Sequence, residues 1–348
     1  TAFRTASATS SPAVTPPAQN PPAQNPPAQD PPPVDKEQNK INPTTTFLSL
    51  LTQEQGLTQL MSRKASRLAQ AVENDCAIFD KQGYCISFRA RATAGTASEG
   101  AGVFILSTQL QAGLRAGMYI DQVVTVRDPV GFQQPDERPS FGGFIGYQFD
   151  PQARGYEMKV SIAYSPGRLI STREIILDTE AGRGVTSFNA YTMRGEVARK
   201  ILFHDLTVTP FAGLRHLQVI RGSYSEVRTN GVDAPIHFNE LRLNVTSAFA
   251  GLRLEGRLTT QWGYQFSLSG EYDLLRRIND MSGTSAIEKL ETFGIHRSFN
   301  KDPVRLSATS GIFWEFAGSN RLFLQVGLRG NPRQVGAATT LLGYQISF

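Results

Sequence analysis

The chain has 348 residues, a formal net charge of +5, 40% hydrophobic and 19% charged residues, 20 prolines and two cysteines. No run approaches 18 consecutive apolar residues, which excludes a transmembrane helix, and the basic residues are spread along the chain, so nucleic acid is not implied. A transmembrane β-barrel is not excluded, because strands that alternate lipid-facing and lumen-facing residues average to a polar-looking sequence.

The sequence opens at Thr1 without a charged-then-apolar leader, as expected of a processed chain or of a piece of a longer one. Residues 1–43 hold eleven of the 20 prolines and a pentapeptide repeat, PPAQN-PPAQN-PPAQD, from Pro16 to Asp30. Proline fixes φ and removes the amide donor, so this stretch is expected to be a disordered or polyproline II linker, a semi-rigid spacer without a core.

Residues 44–82 read as a helix and a connector. Thr44, Thr45 and Thr46 offer a start signal after Pro43. Phe47, Leu50, Leu51, Leu57, Leu60, Met61, Leu68 and Val72 form an apolar stripe out to about residue 75, and Gln53, Gln59, Arg63, Lys64, Arg67 and Gln70 form a polar face. Such a helix is roughly 45 Å long, comparable to a bilayer. It is too polar for lipid and suits a water-filled lumen or a soluble interface. Cys76 and Cys85 follow. Their spacing is not that of a zinc site; they close a small loop if the compartment is oxidising and otherwise stay two thiols.

From residue 83 the period changes to two. Tyr156, Met158, Val160, Ile162 and Tyr164 alternate with Glu157, Lys159, Ser161 and Ser165. Leu258, Thr260, Trp262, Tyr264, Phe266 and Leu268 alternate with Gln261, Gln265 and Ser267. Leu322, Leu324, Val326 and Leu328 alternate with Arg321, Gln325 and Arg329. Leu342, Tyr344, Ile346 and Phe348 alternate with Gly343, Gln345 and Ser347. Twelve strands are expected, at 84–94, 101–113, 116–127, 139–150, 155–171, 184–202, 206–221, 238–255, 258–275, 303–316, 321–330 and 336–348. Short turns near Gly113, Pro151–Gly155, His204–Asp205, Gly256 and Gly318–Asn320 alternate with long links at 128–138, 172–183, 222–237 and 276–302. Short turns on one side and long loops on the other are the pattern of an outer-membrane barrel. Phe141, Tyr147, Phe149, Tyr156, Trp314, Phe316, Tyr344 and Phe348 are placed to form an interfacial girdle. A soluble barrel would invert the alternation, but twelve strands are too many for side chains to fill a small soluble barrel, and the sequence stops within its last strand. The fold class is therefore read as an all-β transmembrane barrel of 12 antiparallel strands over 83–348.

LTVTPFAGLRHLQVIRGSYSE (206–226), with a proline inside a strand, SAFAGLRLEG (247–256) and the ending LLGYQISF (341–348) together resemble the translocator domain of monomeric type Va autotransporters of Gram-negative bacteria. The resemblance covers residues 44–348. It implies an N-terminal α-helix through the pore of the barrel and a passenger domain covalently attached upstream of Thr1, which the barrel anchors in the outer membrane and helps to export. The N-terminal segment would stand at the cell surface. Leu342, Tyr344, Ile346 and Phe348 would present the last strand to the outer-membrane barrel assembly machinery, lipid would surround a monomer, and no nucleic acid would be bound. Arg63, Lys64 and Arg67 would be the helix's polar face. Arg242, Asn244, Gln261, Gln265, Glu271, Arg305, Glu315, Gln325 and Arg329 are lumen candidates, with Lys64 or Arg67 expected to pair with Glu271 or Glu315. The chain departs from the family in its Pro-rich spacer and its cysteine pair. Some relatives cleave themselves at an Asn-Asn pair; the nearest candidate here, Asn74–Asp75, lies at the other end of the helix and lacks the second Asn.

The competing readings are a stand-alone outer-membrane pore, or an export channel for another subunit, and an outer-membrane phospholipase-like enzyme. Such an enzyme needs Ser and His together on the lipid face. His204 lies in a short turn, and His237 and His296 lie in long loops; beside His216 at i±2 stand Leu214 and Gln218, and no G-x-S-x-G occurs. The sequence assigns no catalytic residue, no cofactor and no metal site.

Overall fold

A computed structural model describes residues 41–79, 82–95, 98–135, 138–149, 155–176, 178–180, 182–228, 233–296, 302–316, 320–331 and 334–348. The Pro-rich stretch, residues 1–40, lies outside them, as do the turn residues expected at 151–154 and 318–319.

Helix α1 runs Pro43–Ala71. Its cap is Asn42 rather than the threonine run. The Asn42 side chain accepts from Thr44 N at 2.9 Å and from Thr45 N, and Pro43 occupies the first helical position, where a missing N–H costs nothing. The helix also ends sooner than expected. Glu73 N donates to Gln70 O and Asn74 N to Ala71 O, i→i−3 contacts that tighten the last turn and release the chain. Gly56 has a packing reason: the Phe132 ring lies so close that a Cβ at residue 56 would sit 2.6 Å from it. Among the described residues no helix is long and apolar enough to cross a membrane.

Among the described residues, twelve long strands form the barrel: β1 Tyr84–Gly95, β2 Glu99–Gln111, β3 Leu114–Val126, β4 Ser140–Gln148, β5 Gly155–Ser165, β6 Arg183–Phe203, β7 Leu206–Arg221, β8 Leu241–Arg257, β9 Trp262–Ile278, β10 Val304–Phe316, β11 Asn320–Asn331 and β12 Gln334–Ser347. Each pairs antiparallel with its sequence neighbours, and β1 pairs with β12 from Cys85↔Ser347 to Gly95↔Ala337, which closes the sheet. Tyr84 and Phe348 exchange both backbone hydrogen bonds at the seam, at 3.0 and 3.2 Å.

Differences from the expected spans have local causes. Gly113 at φ 82° makes the turn that ends β2 early. The expected strand 155–171 stops at Ser165, because Pro166 offers no donor; Arg168–Thr172 is a separate short strand beside the start of β6. Residues 258–261 are a turn and not the start of β9: Leu258 N donates to Trp262 O, and Thr259 Oγ1 accepts from Trp262 N at 3.0 Å. Pro210 is accommodated inside β7 where the β6–β7 ladder skips from Ala198↔Phe211 to Ile201↔Val208.

Strand alternation resolves into two faces. Tyr156, Met158, Val160, Ile162 and Tyr164 are exposed outward, as are Leu322, Leu324, Val326 and Leu328, while Ser161, Ser165, Arg194, Arg215, Ser247 and Asp273 are buried inward. Aromatics gather at the short-turn end: Trp262 stacks on Trp314, Phe316 on Tyr344, and Tyr84 on Phe348, with Phe316 tilted against Trp314 and Tyr147 edge-on to Phe149. Phe141 sits at the other end, in one cross-strand row with Tyr164 and Tyr191. The nine residues from Tyr156 to Tyr164, tilted by about 40°, span roughly 20 Å, close to the height of an outer-membrane apolar band.

This sidedness fixes an expected outcome. Val160→Arg, at the middle of β5 on the outer face, should lower unfolding free energy in lipid vesicles by about 2–4 kcal/mol, whereas Val130→Arg, on an exposed loop, should change it by no more than about 0.5 kcal/mol. Denaturant titration followed by tryptophan emission measures both; equal effects would contradict the membrane placement.

Candidate functional site

The lumen is the site, and alternation builds it, because every second residue of each strand must face the enclosed space. Many of its polar side chains are charged and paired with one another, as burial favours. Glu271 binds Arg215 and Arg305, the latter at 2.9 Å, and also accepts from Ser247. Glu196 binds Arg194 at 2.5 Å and Arg253 at 2.7 Å. Glu315 joins Arg321 at 2.5 Å and Arg257 at 2.6 Å near the short-turn end. Arg91 pairs with Asp121 at 2.9 Å and Glu99 at 3.4 Å.

The helix enters at the long-loop end. Ser49 Oγ donates to Glu174 O at 2.6 Å, and Gln53 Nε2 donates to Ser171 Oγ at 2.7 Å and to Tyr224 OH at 3.2 Å. Lower down, Lys64 Nζ donates to Phe188 O at 2.7 Å and lies over the Phe188 ring; Arg67 donates to Ser165 Oγ at 3.2 Å and approaches Glu99 at 3.9 Å. Arg63 reaches sideways to Asp128 and to Arg127 O.

The connector below the helix touches six of the barrel strands. Glu73 meets Arg194 at 3.0 Å and Arg329 at 3.1 Å; Asp75 meets Arg115 at 2.8 Å and Lys159 at 3.1 Å; Lys159 also donates to Asn74 O, Arg89 to Asn74 Oδ1, and Ser107 Oγ to Cys76 O at 2.6 Å. These partners belong to β1, β2, β3, β5, β6 and β11, so the connector threads the lumen. Cys76 and Cys85 are joined as a disulfide, with Cα atoms 5.9 Å apart, tying the connector to the start of β1. Burial alone would raise the Asp75 carboxyl, but Lys159 and Arg115 outweigh it and hold it well below the usual carboxylate range. Its contribution is therefore complete above about pH 4, the unfolded range, and fades only as pH falls through the depressed value. Between Glu73, Arg194, Arg215, Glu271, Arg305 and Arg329 only about 20 Å³ is left, room for a water molecule and not for a chain.

Of the lumen candidates, Gln265, Glu271, Arg305, Glu315, Gln325 and Arg329 lie on inward positions. Arg242 and Asn244 do not: in the upper part of β8 the alternate residues Leu241, Leu243 and Val245 are buried, and Arg242 pairs with Glu240 at the surface. The register of β8 against β9 shifts between Thr246 and Ser247. Gln261 is an exposed turn residue. The expected pairing of Lys64 or Arg67 with Glu271 or Glu315 does not form, because Arg215, Arg305, Arg257 and Arg321 already occupy those carboxylates. Sequence reasoning missed Glu73, Asp75, Arg115 and Lys159. The alternation marks Lys159 as inward, but nothing local marks the connector as its partner. Leu342, Tyr344, Ile346 and Phe348 alternate with the buried Gly343, Gln345 and Ser347. Outside the lumen, His216 meets Thr246 Oγ1 at 2.9 Å and His237 meets Ser225 Oγ at 2.9 Å; no group of three or more metal-ligating side chains comes together among the described residues.

A family model described as the autotransporter beta-domain matches residues 137–327. Among solved structures, the translocator domain of the autotransporter NalP from Neisseria meningitidis is similar at TM-score 0.61 and 15% identity, covering 85% of this chain and 97% of that one. The beta domain of the Bordetella autotransporter BrkA is similar at TM-score 0.49 and 14% identity, covering 77% of this chain and 100% of that one. The transport unit of the autotransporter AIDA-I from Escherichia coli matches at TM-score 0.43 and 11% identity, over 83% and 98%. No curated protein sequence matches significantly.

Two measurements probe the anchor at the base of the lumen. Asp75→Ala leaves the largely buried Arg115 and Lys159 short of a half-buried carboxylate and should lower unfolding free energy by roughly 2 kcal/mol. Cys85→Ser opens the short loop and should lower it by about 2–3 kcal/mol. Unchanged denaturation midpoints in detergent would contradict the anchoring role of the connector.

Proposed function

The chain belongs to the autotransporter β-domain family, and we propose from that membership how its parts divide the work of export. It is an outer-membrane translocator of type V secretion in Gram-negative bacteria. In this reading a passenger attached upstream of Thr1 crosses the lumen, the Pro-rich residues ahead of α1 serve as the tether between barrel and passenger, and α1 stays behind as the plug. The barrel acts as an anchor and export aid, not as a catalyst. Lipid surrounds it as a monomer, and Leu342, Tyr344, Ile346 and Phe348 guide the last strand to the assembly machinery during insertion.

The observation that carries this reading is the course of the helix. Its N-terminal end lies among the long loops, where Ser49 meets Glu174, and its connector reaches Arg115 beside the short turn at Gly113. Short turns face the periplasm and long loops the exterior in outer-membrane barrels, so a chain leaving α1 at its N-terminus leaves at the cell surface. Charged side chains lining the lumen suit passage of a hydrated polypeptide, and a closed sheet satisfies its own backbone in lipid.

An epitope tag placed before Thr1, in a chain exported by a cleavable signal sequence, tests the reading. External protease should remove the tag from intact cells while the barrel stays in the outer-membrane fraction. A tag that is protected until the outer membrane is ruptured would overturn it. Changing Leu342, Tyr344, Ile346 and Phe348 together to serine should leave the chain in the periplasm.

A further inference from the structure

The long connections do more than join strands. Residues 224–225, 237–238, 281–284 and 292–295 form a four-stranded antiparallel sheet, separate from the barrel and built from the β7–β8 and β9–β10 connections. One side of it is apolar and buried: Tyr224 stacks on Phe238 at 4.8 Å, and Phe238 meets Phe293 edge-on at 5.8 Å. Phe238 is wholly buried. Free loops do not bury aromatic rings in this way.

That side is part of the apolar cluster that also holds the helix stripe. Leu50, Leu57, Leu60 and Met61 belong to the same contiguous buried cluster as Phe238, Met281 and Phe293. Phe132, from the β3–β4 connection, joins the cluster and lies against Gly56. Gln53 ties three pieces together through Ser171 and Tyr224. A second tie is ionic. Arg173 Nε and Nη2 each donate to Glu226 at 3.0 Å with both side chains at most 1% exposed, and Glu226 also accepts from Ile236 N. This pair joins the β5–β6 connection to the β7–β8 connection. A sheet this small cannot hold itself together in water; its apolar side needs partners, and the cluster it joins includes the stripe of α1, with Gln53 bonded directly to Tyr224.

We infer that these connections form a lid over the outer mouth whose folded state depends on the seated helix, so that the pore is sealed twice and the second seal closes only after the first is in place. The lid rests on the export reading for its purpose, and its geometry goes beyond it. A chain in transit lacks the stripe formed by Leu50, Leu57, Leu60 and Met61, so the connections have nothing to fold against and the mouth stays open. Arrival of α1 supplies the stripe, Gln53 engages Ser171 and Tyr224, and the Arg173–Glu226 pair is enclosed.

Three full-length variants test the coupling from both sides, each first shown to keep the heat-modifiable migration of a closed barrel. Phe238→Ser removes the centre of the lid; in planar bilayers it should raise the fraction of time in conducting states at least about tenfold over the unsubstituted chain. Glu226→Gln keeps the shape and removes the ion pair, and should raise it several-fold if Phe238→Ser does not assemble. Leu57→Ser changes only the helix, yet it should make Tyr224, Phe238 and Phe293 susceptible to chymotrypsin, whereas the unsubstituted chain resists cleavage there. Lid variants that conduct no more than the unsubstituted chain, or a Leu57→Ser chain whose lid aromatics stay protected, would overturn the inference while leaving the export reading intact. Failure of the unsubstituted chain to insert into lipid would instead remove the export reading.

Discussion

A strand in hydrocarbon has no water to satisfy its N–H and C=O groups, so the sheet must close on itself. The pairing of β1 with β12 meets that requirement here, and the rest of the molecule follows from it. Closure separates an outer face, which takes the apolar residues, from an inner face, which takes the charged ones. The inner face then needs counter-charges and something to fill the remaining space, because an unpaired buried charge is costly. Glu271, Glu196 and Glu315 answer with arginines from neighbouring strands; Glu73 and Asp75 answer from the connector. The plug is thus part of the charge balance of the wall.

The barrel was largely legible in the sequence because a two-residue period sustained over ten or more residues suits a two-faced strand and little else. β7 was found to the residue, and the alternation of β5 and β11 marks both faces correctly. Boundaries failed where side chains intervene locally: Asn42 caps α1 ahead of three threonines, and Thr259 holds a turn in what looks like the start of a strand. Arg242 failed for a different reason. The period and its phase run unbroken through β8, whose odd-numbered residues face inward throughout, but near the mouth those residues are Leu241, Leu243 and Val245, which join the apolar cluster that holds α1. Assigning polar residues to the lumen fails where the lumen wall is apolar.

The contents of the lumen were less legible. The stripe of α1 reads as an ordinary amphipathic helix, and nothing in its spacing says that Lys64 is held by a backbone carbonyl, Phe188 O, rather than by a carboxylate. The connections at 222–237 and 276–302 read as loops, since Tyr224, Met281 and Phe293 are too far apart in sequence to show a pattern, and Phe238 reads as the first residue of a barrel strand. Their burial exists only once β7–β8 and β9–β10 bring them over the same mouth. Contacts of this kind are set by topology, and one sequence without that topology cannot announce them.

The helix meets two environments along its length, and this decides how it can be held. Near the mouth it shares one apolar cluster with Tyr224, Phe238 and Phe293, and Gln53 adds amide contacts; at the base the connector's partners are Arg115, Lys159, Arg194 and Arg329, with a disulfide beyond them. Apolar contact is indifferent to register over a residue or so, whereas each ion pair at the base needs its partner within about 4 Å. The base therefore fixes how far the chain has travelled, and the mouth can close on whatever apolar stripe that position presents. A plug built the other way round, ionic at the mouth and apolar at the base, would have no stop against further sliding. The order found here places the stop at Glu73–Asp75, beside the bond from Cys76 to the barrel's first strand.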